Sequence, residues 1–166
     1  RLDFGIFCLH LVMTAMFVVL PLLMRGKLGI AAEDHWMVYL PVLGLSVVAM
    51  VPFIIIAEKK RKMKTVFVSA VATLSFASIG LYLFSGHLWG MVVSLFIFFT
   101  AFNLLEASLP SLISKIAFAG GKGTAMGVYS SAQFFGAFCG GLMGGLVWNH
   151  YGLSEVFLVC AGILFV

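Results

Sequence analysis

Long apolar runs alternate with short polar breaks along the whole chain. The runs cover about 4–24, 35–57, 65–84, 88–109 and 124–148, and a sixth begins near 156 and continues to 166. About 20 residues rising 1.5 Å each cross a hydrocarbon layer of about 30 Å. The pattern therefore predicts an all-α polytopic membrane bundle, with five full spans and a sixth cut short. The breaks near 58–64 and 115–123 read as loops on one side. The break near 85–87 is a tight turn on the other, as is the one near 149–155.

The break Glu58-Lys59-Lys60-Arg61-Lys62-Met63-Lys64 gives every span a direction. Short loops rich in Lys and Arg stay on the cytoplasmic side. Lys115 and Lys122 flank the break two crossings later, so that loop is placed on the same side. Composition agrees: 63% of the 166 residues are hydrophobic and only 10% are charged, with a mean hydropathy of +1.16. A soluble domain of this length could not hide so much apolar surface. The net charge of +4 arises between spans rather than on a soluble face, which argues against a nucleic-acid partner. Cys8, Cys139 and Cys160 lie within apolar runs, where a thiol acts as a small hydrophobe and no disulfide is implied. A start at Arg1 followed at once by a span, and a last span too short to cross, read as a piece of a longer protein.

Enzyme signatures are absent from the sequence. No His, Cys or Asp cluster has metal-ligand spacing, and no Ser occupies a nucleophile elbow, so neither a metal nor a cofactor is expected. Gly120-Gly121-Lys122-Gly123-Thr124 imitates a phosphate loop only superficially. The remaining chemistry is a few polar residues inside apolar spans, where such residues face a bundle interior or a water-filled path. Glu106 is the most costly of them to bury, because a carboxylate in a span must be neutral, paired or facing water. It is read either as a proton or substrate site or as a structural partner closing the cytoplasmic side. Asn103 lies one turn earlier on the same face. His10, with Thr14 one turn later and Asp3 two turns earlier, marks a polar stripe in the first span. It serves either proton handling or helix pairing.

The fifth span repeats small residues every four positions at Ala132, Gly136, Gly140 and Gly144, a ridge on which another helix can pack closely. Tyr129 and Gln133 sit one turn apart on an overlapping face and would be polar lining if that face meets a cavity. Thr124 is the expected N-cap. Pro41 and Pro52 predict bends in the second span, and His35, Trp36 and Tyr39 an interfacial cluster at its entry. The third span carries only scattered Ser and Thr and reads as lipid-facing, with nothing that asks for a polar partner.

Three stretches carry a resemblance. Val51 to Lys64, ending in the basic run, is similar to the second-half copy of the acidic-basic loop motif of the major facilitator superfamily. Arg61 stands where the first-half copy usually has Gly, and Ile54 where it has an earlier Gly. Asn103 to Lys115 followed by Gly121 to Ser130 looks like the tenth helix, its cytoplasmic loop and the start of the eleventh. Gly136-Ala137-Phe138-Cys139-Gly140-Gly141-Leu142-Met143-Gly144-Gly145 is similar to the family's antiporter glycine pattern, here in the pseudo-symmetric helix, with Gly141 in place of Pro. The whole chain thus resembles the C-terminal six-helix half of a major facilitator superfamily transporter of the drug:proton antiporter kind.

The resemblance implies alternating access, with two six-helix halves rocking about a midplane site and inward proton movement driving export of a small organic or amphipathic compound. It implies that Glu58, Lys59, Arg61 and Lys62 belong to a gating loop motif, with Glu58 meeting a helix N-terminus of the other half. The path candidates are Glu106, Asn103, His10, Tyr129 and Gln133. The partners it implies are protons, a small-molecule substrate, the lipid bilayer and an N-terminal six-helix half, in a bacterial inner membrane. Proton-coupled uptake, and a receptor or scaffold that transports nothing, are the alternatives.

Overall fold

The computed structural model describes residues 2–118 and 120–165. Its regular elements are helices: α1 (Leu2–Gly26), α2 (Trp36–Lys59), α3 (Met63–Leu83), α4 (Leu88–Ile116), α5 (Lys122–Tyr151) and α6 (Glu155–Leu164). A single 3-10 turn, Ala32–Asp34, leads into α2. Each helix falls on one of the six apolar runs, and α1 to α4 are long and apolar enough to cross a membrane. At 30 residues α5 is longer still, but its glycines and Gln133 make it less apolar than those four.

α1 is the central post. Ile6, Val12, Ala15, Val19, Leu20 and Leu23 are fully enclosed, and the helix packs on α5, α6 and α4. α2 stands at the periphery, burying only Val42, Ser46 and Ala57 along 24 residues. Its other face presents Leu40, Leu45, Val48 and Phe53 outward. In water such a face would be a liability, whereas within a membrane it can lie against lipid tails or another helix.

The ends of α1, α3 and α5 gather at one end of the bundle. Lys27 Nζ donates to Ser85 Oγ (3.2 Å) and to Ser154 Oγ (2.6 Å), and Ser154 Oγ donates to Ser85 Oγ (3.0 Å). One ammonium thereby ties the connectors after α1, α3 and α5 together. The basic connectors after α2 and α4 lie at the opposite ends of their helices, as an up-and-down bundle requires.

Three local expectations are changed. α4 continues through Pro110 to Ile116, beyond the apolar run, although proline has no N–H to give the Glu106 carbonyl one turn before. α5 starts at Lys122 with Gly121 as its cap, so Thr124 is inside the helix rather than at its cap. α3 is not wholly lipid-facing. Leu74, Ser75, Ala77, Ser78 and Leu81 are buried against α4 and α6, and Ser75 Oγ donates to the Ala161 carbonyl at 3.0 Å. Residues that look featureless in sequence are small, and small residues let helices approach.

Candidate functional site

The small-residue ridge of α5 sets the geometry of the site. A Cβ on Gly136 would overlap the Phe7 carbonyl oxygen, and one on Gly140 the Leu11 carbonyl oxygen; at Gly144 it would lie 3.0 Å from Ala15. Both series advance by four residues in the same sense, so α1 and α5 run parallel with their backbones in contact. Glycine Cα–H groups facing carbonyls at such a seam add weak hydrogen bonds. Gly145, beside the ridge, has open space where a Cβ would go. Ala132, one step before Gly136, is partly buried against the core.

That contact brings three polar side chains together. α1 supplies His10, α4 supplies Glu106 and α5 supplies Gln133, one turn before the first ridge glycine. Gln133 Nε2 donates to Glu106 Oε1 at 3.2 Å and lies 2.8 Å from His10 Nε2. His10 Nε2 and Glu106 Oε2 are 3.8 Å apart. The imidazole is almost completely buried, its ring edge-on to Phe102, while the Glu106 side chain keeps a third of its surface exposed. A buried side and an open side suit a group that must reach both the bundle and a water-filled path. His10 Nδ1, Glu106 Oε2 and the Tyr129 hydroxyl are buried without a hydrogen-bond partner, which leaves capacity for water or a ligand.

Of the five path candidates, then, His10, Glu106 and Gln133 form one cluster, and Tyr129 lies one turn before Gln133 with its hydroxyl enclosed. Asn103 does not join it. Its Nδ2 donates to Ser46 Oγ on α2 at 2.9 Å, and Ser46 Oγ donates on to the Leu43 carbonyl at 2.8 Å. Asp3 lines a separate cleft of about 430 Å³ with Ile113, Ala125 and Val128, at the ends of α1, α4 and α5 that lie on the basic-loop side. Thr14 sits beside Gly141. At the entry of α2, Trp36 is exposed as an interfacial ring should be, but His35 is buried with its Nε2 3.2 Å from the Ile30 carbonyl. Ser46 escaped sequence reasoning because a lone serine in an apolar helix gives no sign of a partner 57 residues away.

The basic loop is shaped by the end of α2. Lys62 N–H donates to the Ala57 carbonyl (3.1 Å) and Arg61 N–H to the Glu58 carbonyl (3.2 Å), with Arg61 at φ 51°. This is the paired-bond helix stop that places one residue in the left-handed region, where glycine is favoured. The stop accounts for the glycine that the motif usually has where Arg61 stands. Glu58, Lys59, Arg61 and Lys62 are all exposed.

Comparison with known proteins accords with this architecture. Over 164 residues the chain is 48% identical to the inner membrane transport protein YajR of Escherichia coli strain K12, a match covering 97% of this chain and 35% of YajR. An uncharacterized transporter of Buchnera aphidicola subsp. Schizaphis graminum is 32% identical over 159 residues, covering 95% of this chain and 40% of the relative. Another, from subsp. Baizongia pistaciae, is 26% identical over 157 residues, covering 94% and 40%. The chain therefore spans between a third and two fifths of the length of these relatives. The family model described as Major Facilitator Superfamily matches residues 2–166. An all-helical membrane bundle matched along its whole length in this way belongs to the Major Facilitator Superfamily.

Proposed function

We propose that this chain is the C-terminal six-helix half of a proton-coupled secondary transporter of the bacterial inner membrane, and that the transporter exports small organic or amphipathic compounds by alternating access. The observation that carries the reading is the cluster of Glu106, Gln133 and His10, drawn from three helices, with the Glu106 side chain one third exposed. A carboxylate used only to hold helices together would be fully paired, whereas Glu106 keeps one oxygen without a partner. An ionisable pair within 4 Å, one member one third exposed, is a natural place to take up and release a proton.

In this reading α1 and α5 move as one body, because their backbones interlock. An N-terminal half of the same protein covers the outward apolar faces of α2 and α5, and the loop carrying Glu58, Lys59, Arg61 and Lys62 gates the cytoplasmic side against it. The inner-membrane placement follows that of the Escherichia coli relative.

The test is transport by the full-length protein in proteoliposomes under an imposed pH gradient, with a panel of organic cations and neutral amphiphiles and with internal pH followed during flux. Export predicts substrate movement opposite to proton movement. Movement of both in one direction would replace export by uptake, and substrate flux with no proton movement would remove proton coupling.

A further inference from the structure

The carboxamide of Gln133 touches both ionisable members of the cluster through a single atom. Its Nε2 faces Glu106 Oε1 at 3.2 Å and His10 Nε2 at 2.8 Å. The donor and acceptor roles follow in sequence. Glu106 Oε1 accepts when the carboxyl is ionised and when it carries its proton on Oε2, and in both of those states the amide group turned toward it is the NH₂. That same NH₂ then meets His10 Nε2, and two donors cannot share a hydrogen bond. In those states His10 Nε2 presents its lone pair to the amide, which corresponds to the Nδ1–H tautomer. Both hydrogens of the amide are engaged, one on each neighbour.

We propose that Gln133 is a positioning residue that acts as a proton gate. It holds His10 in the Nδ1–H form and keeps it from exchanging a proton with Glu106 until the amide turns. His10 Nε2 and Glu106 Oε2 are 3.8 Å apart, too far for a hydrogen bond but close enough that a small side-chain movement makes one. While the amide NH₂ occupies the Nε2 lone pair, no proton can arrive there. When the amide rotates so that its oxygen faces His10, a proton on Glu106 Oε2 can pass to His10 Nε2, leaving a carboxylate and an imidazolium, with the amide oxygen accepting from Nε2–H. One proton moves and no other reactant is needed.

The titratable group facing the imidazole from another helix is Glu106 of α4, and Tyr129 of α5 lies near that carboxyl. On α1 itself the nearest are Cys8 and, two turns away, Asp3. Gln133 belongs to the turn of α5 that leads into the glycine ridge, so a shift of the interlocked α1 and α5 against α4 would move the amide and His10 together relative to Glu106. Gating of transport by this step rests on the proton-coupled reading above. The tautomer does not; it follows from the orientation of the Gln133 amide.

The experiment is nitrogen-15 magnetic resonance of histidine imidazoles in the full-length protein in lipid, with the His10 signals assigned by their loss in His10→Asn. The expected result is a neutral ring with its proton on Nδ1 in the wild type. Gln133→Met, which keeps the side-chain length without the amide, is expected to release the ring into a mixture of both tautomers. Gln133→Glu, whose ionised form offers only acceptors, is expected to place a proton on Nε2 when measured at a pH where that carboxyl is ionised. A wild-type ring with its proton on Nε2, or an Nδ1–H ring unchanged in both variants, overturns the gate. If one variant does not fold, the other decides, because their expected signatures differ from each other and from the wild type. Flux assays on the same variants report separately on proton coupling: coupled flux lost while the tautomer behaves as expected supports the gate. Coupled flux unchanged in a variant with the altered tautomer overturns its role in transport and leaves the tautomer assignment standing.

Discussion

Two seams of the bundle each carry a polar cross-link, and they are built in opposite ways. At the α1–α5 seam the backbones touch through Gly136, Gly140 and Gly144, and the cross-link of His10, Gln133 and Glu106 gathers three helices. At the α2–α4 seam a single bond from Asn103 to Ser46 joins a mostly exposed helix to the core. The first seam has no side-chain slack, so groups attached to it are held in register. The second is held by side-chain packing around one hydrogen bond. Ionisable chemistry lies on the stiff seam and the amide–hydroxyl pair on the other.

The sharpest way to break the contrast is a side chain at the stiff seam. Gly140→Leu forces branched carbon into the Leu11 backbone and is expected to destabilise by at least about 3 kcal/mol, seen as loss of the monodisperse folded species in detergent. Gly140→Ala, with a single carbon in the same place, is expected to cost about 1–3 kcal/mol in thermal unfolding. At the α2–α4 seam, Ser46→Ala leaves Asn103 without its partner on α2 and is expected to cost about 1 kcal/mol. Gly145→Ala points into open space on the same helix as Gly140 and is expected to change stability by less than about 0.5 kcal/mol. A Gly145 loss equal to that of Gly140 would mean that the close approach to α1 is not what makes the Gly140 change costly, since helix propensity alone favours Ala over Gly.

The fold was legible because a membrane span is the least ambiguous pattern in a sequence. A run near 20 residues has few structures open to it, since every backbone group must bond within its own helix. The ridge of α5 was legible for the same reason of period: four-residue spacing puts Ala132, Gly136, Gly140 and Gly144 on one face whatever packs there. The identity of that neighbour, α1, was not, because nothing in a glycine names its partner. Within the site, His10, Glu106 and Gln133 stood out by cost, being polar in an apolar span. Their meeting depends on how α1, α4 and α5 cross, which no local pattern encodes. Asn103 shows the limit most clearly. One turn from Glu106 along α4, it was grouped with it by face, yet that turn carries it from the interior cluster to the α2 contact. Ser75 and Ser46 were invisible for the opposite reason, since serine is common in membrane helices and only tertiary contact gives it a role.

The central claim is that the stiff seam carries a proton-handling cluster and the α2–α4 seam does not. Its most direct test is substrate-dependent change of internal pH in proteoliposomes of the full-length protein, comparing wild type, Glu106→Gln and Ser46→Ala at matched folded content. The account predicts that Glu106→Gln lowers coupled proton movement at least about tenfold, equivalent to 1.4 kcal/mol or more at the coupling step, while Ser46→Ala stays within about twofold of wild type. Coupled movement that survives Glu106→Gln unchanged would contradict it.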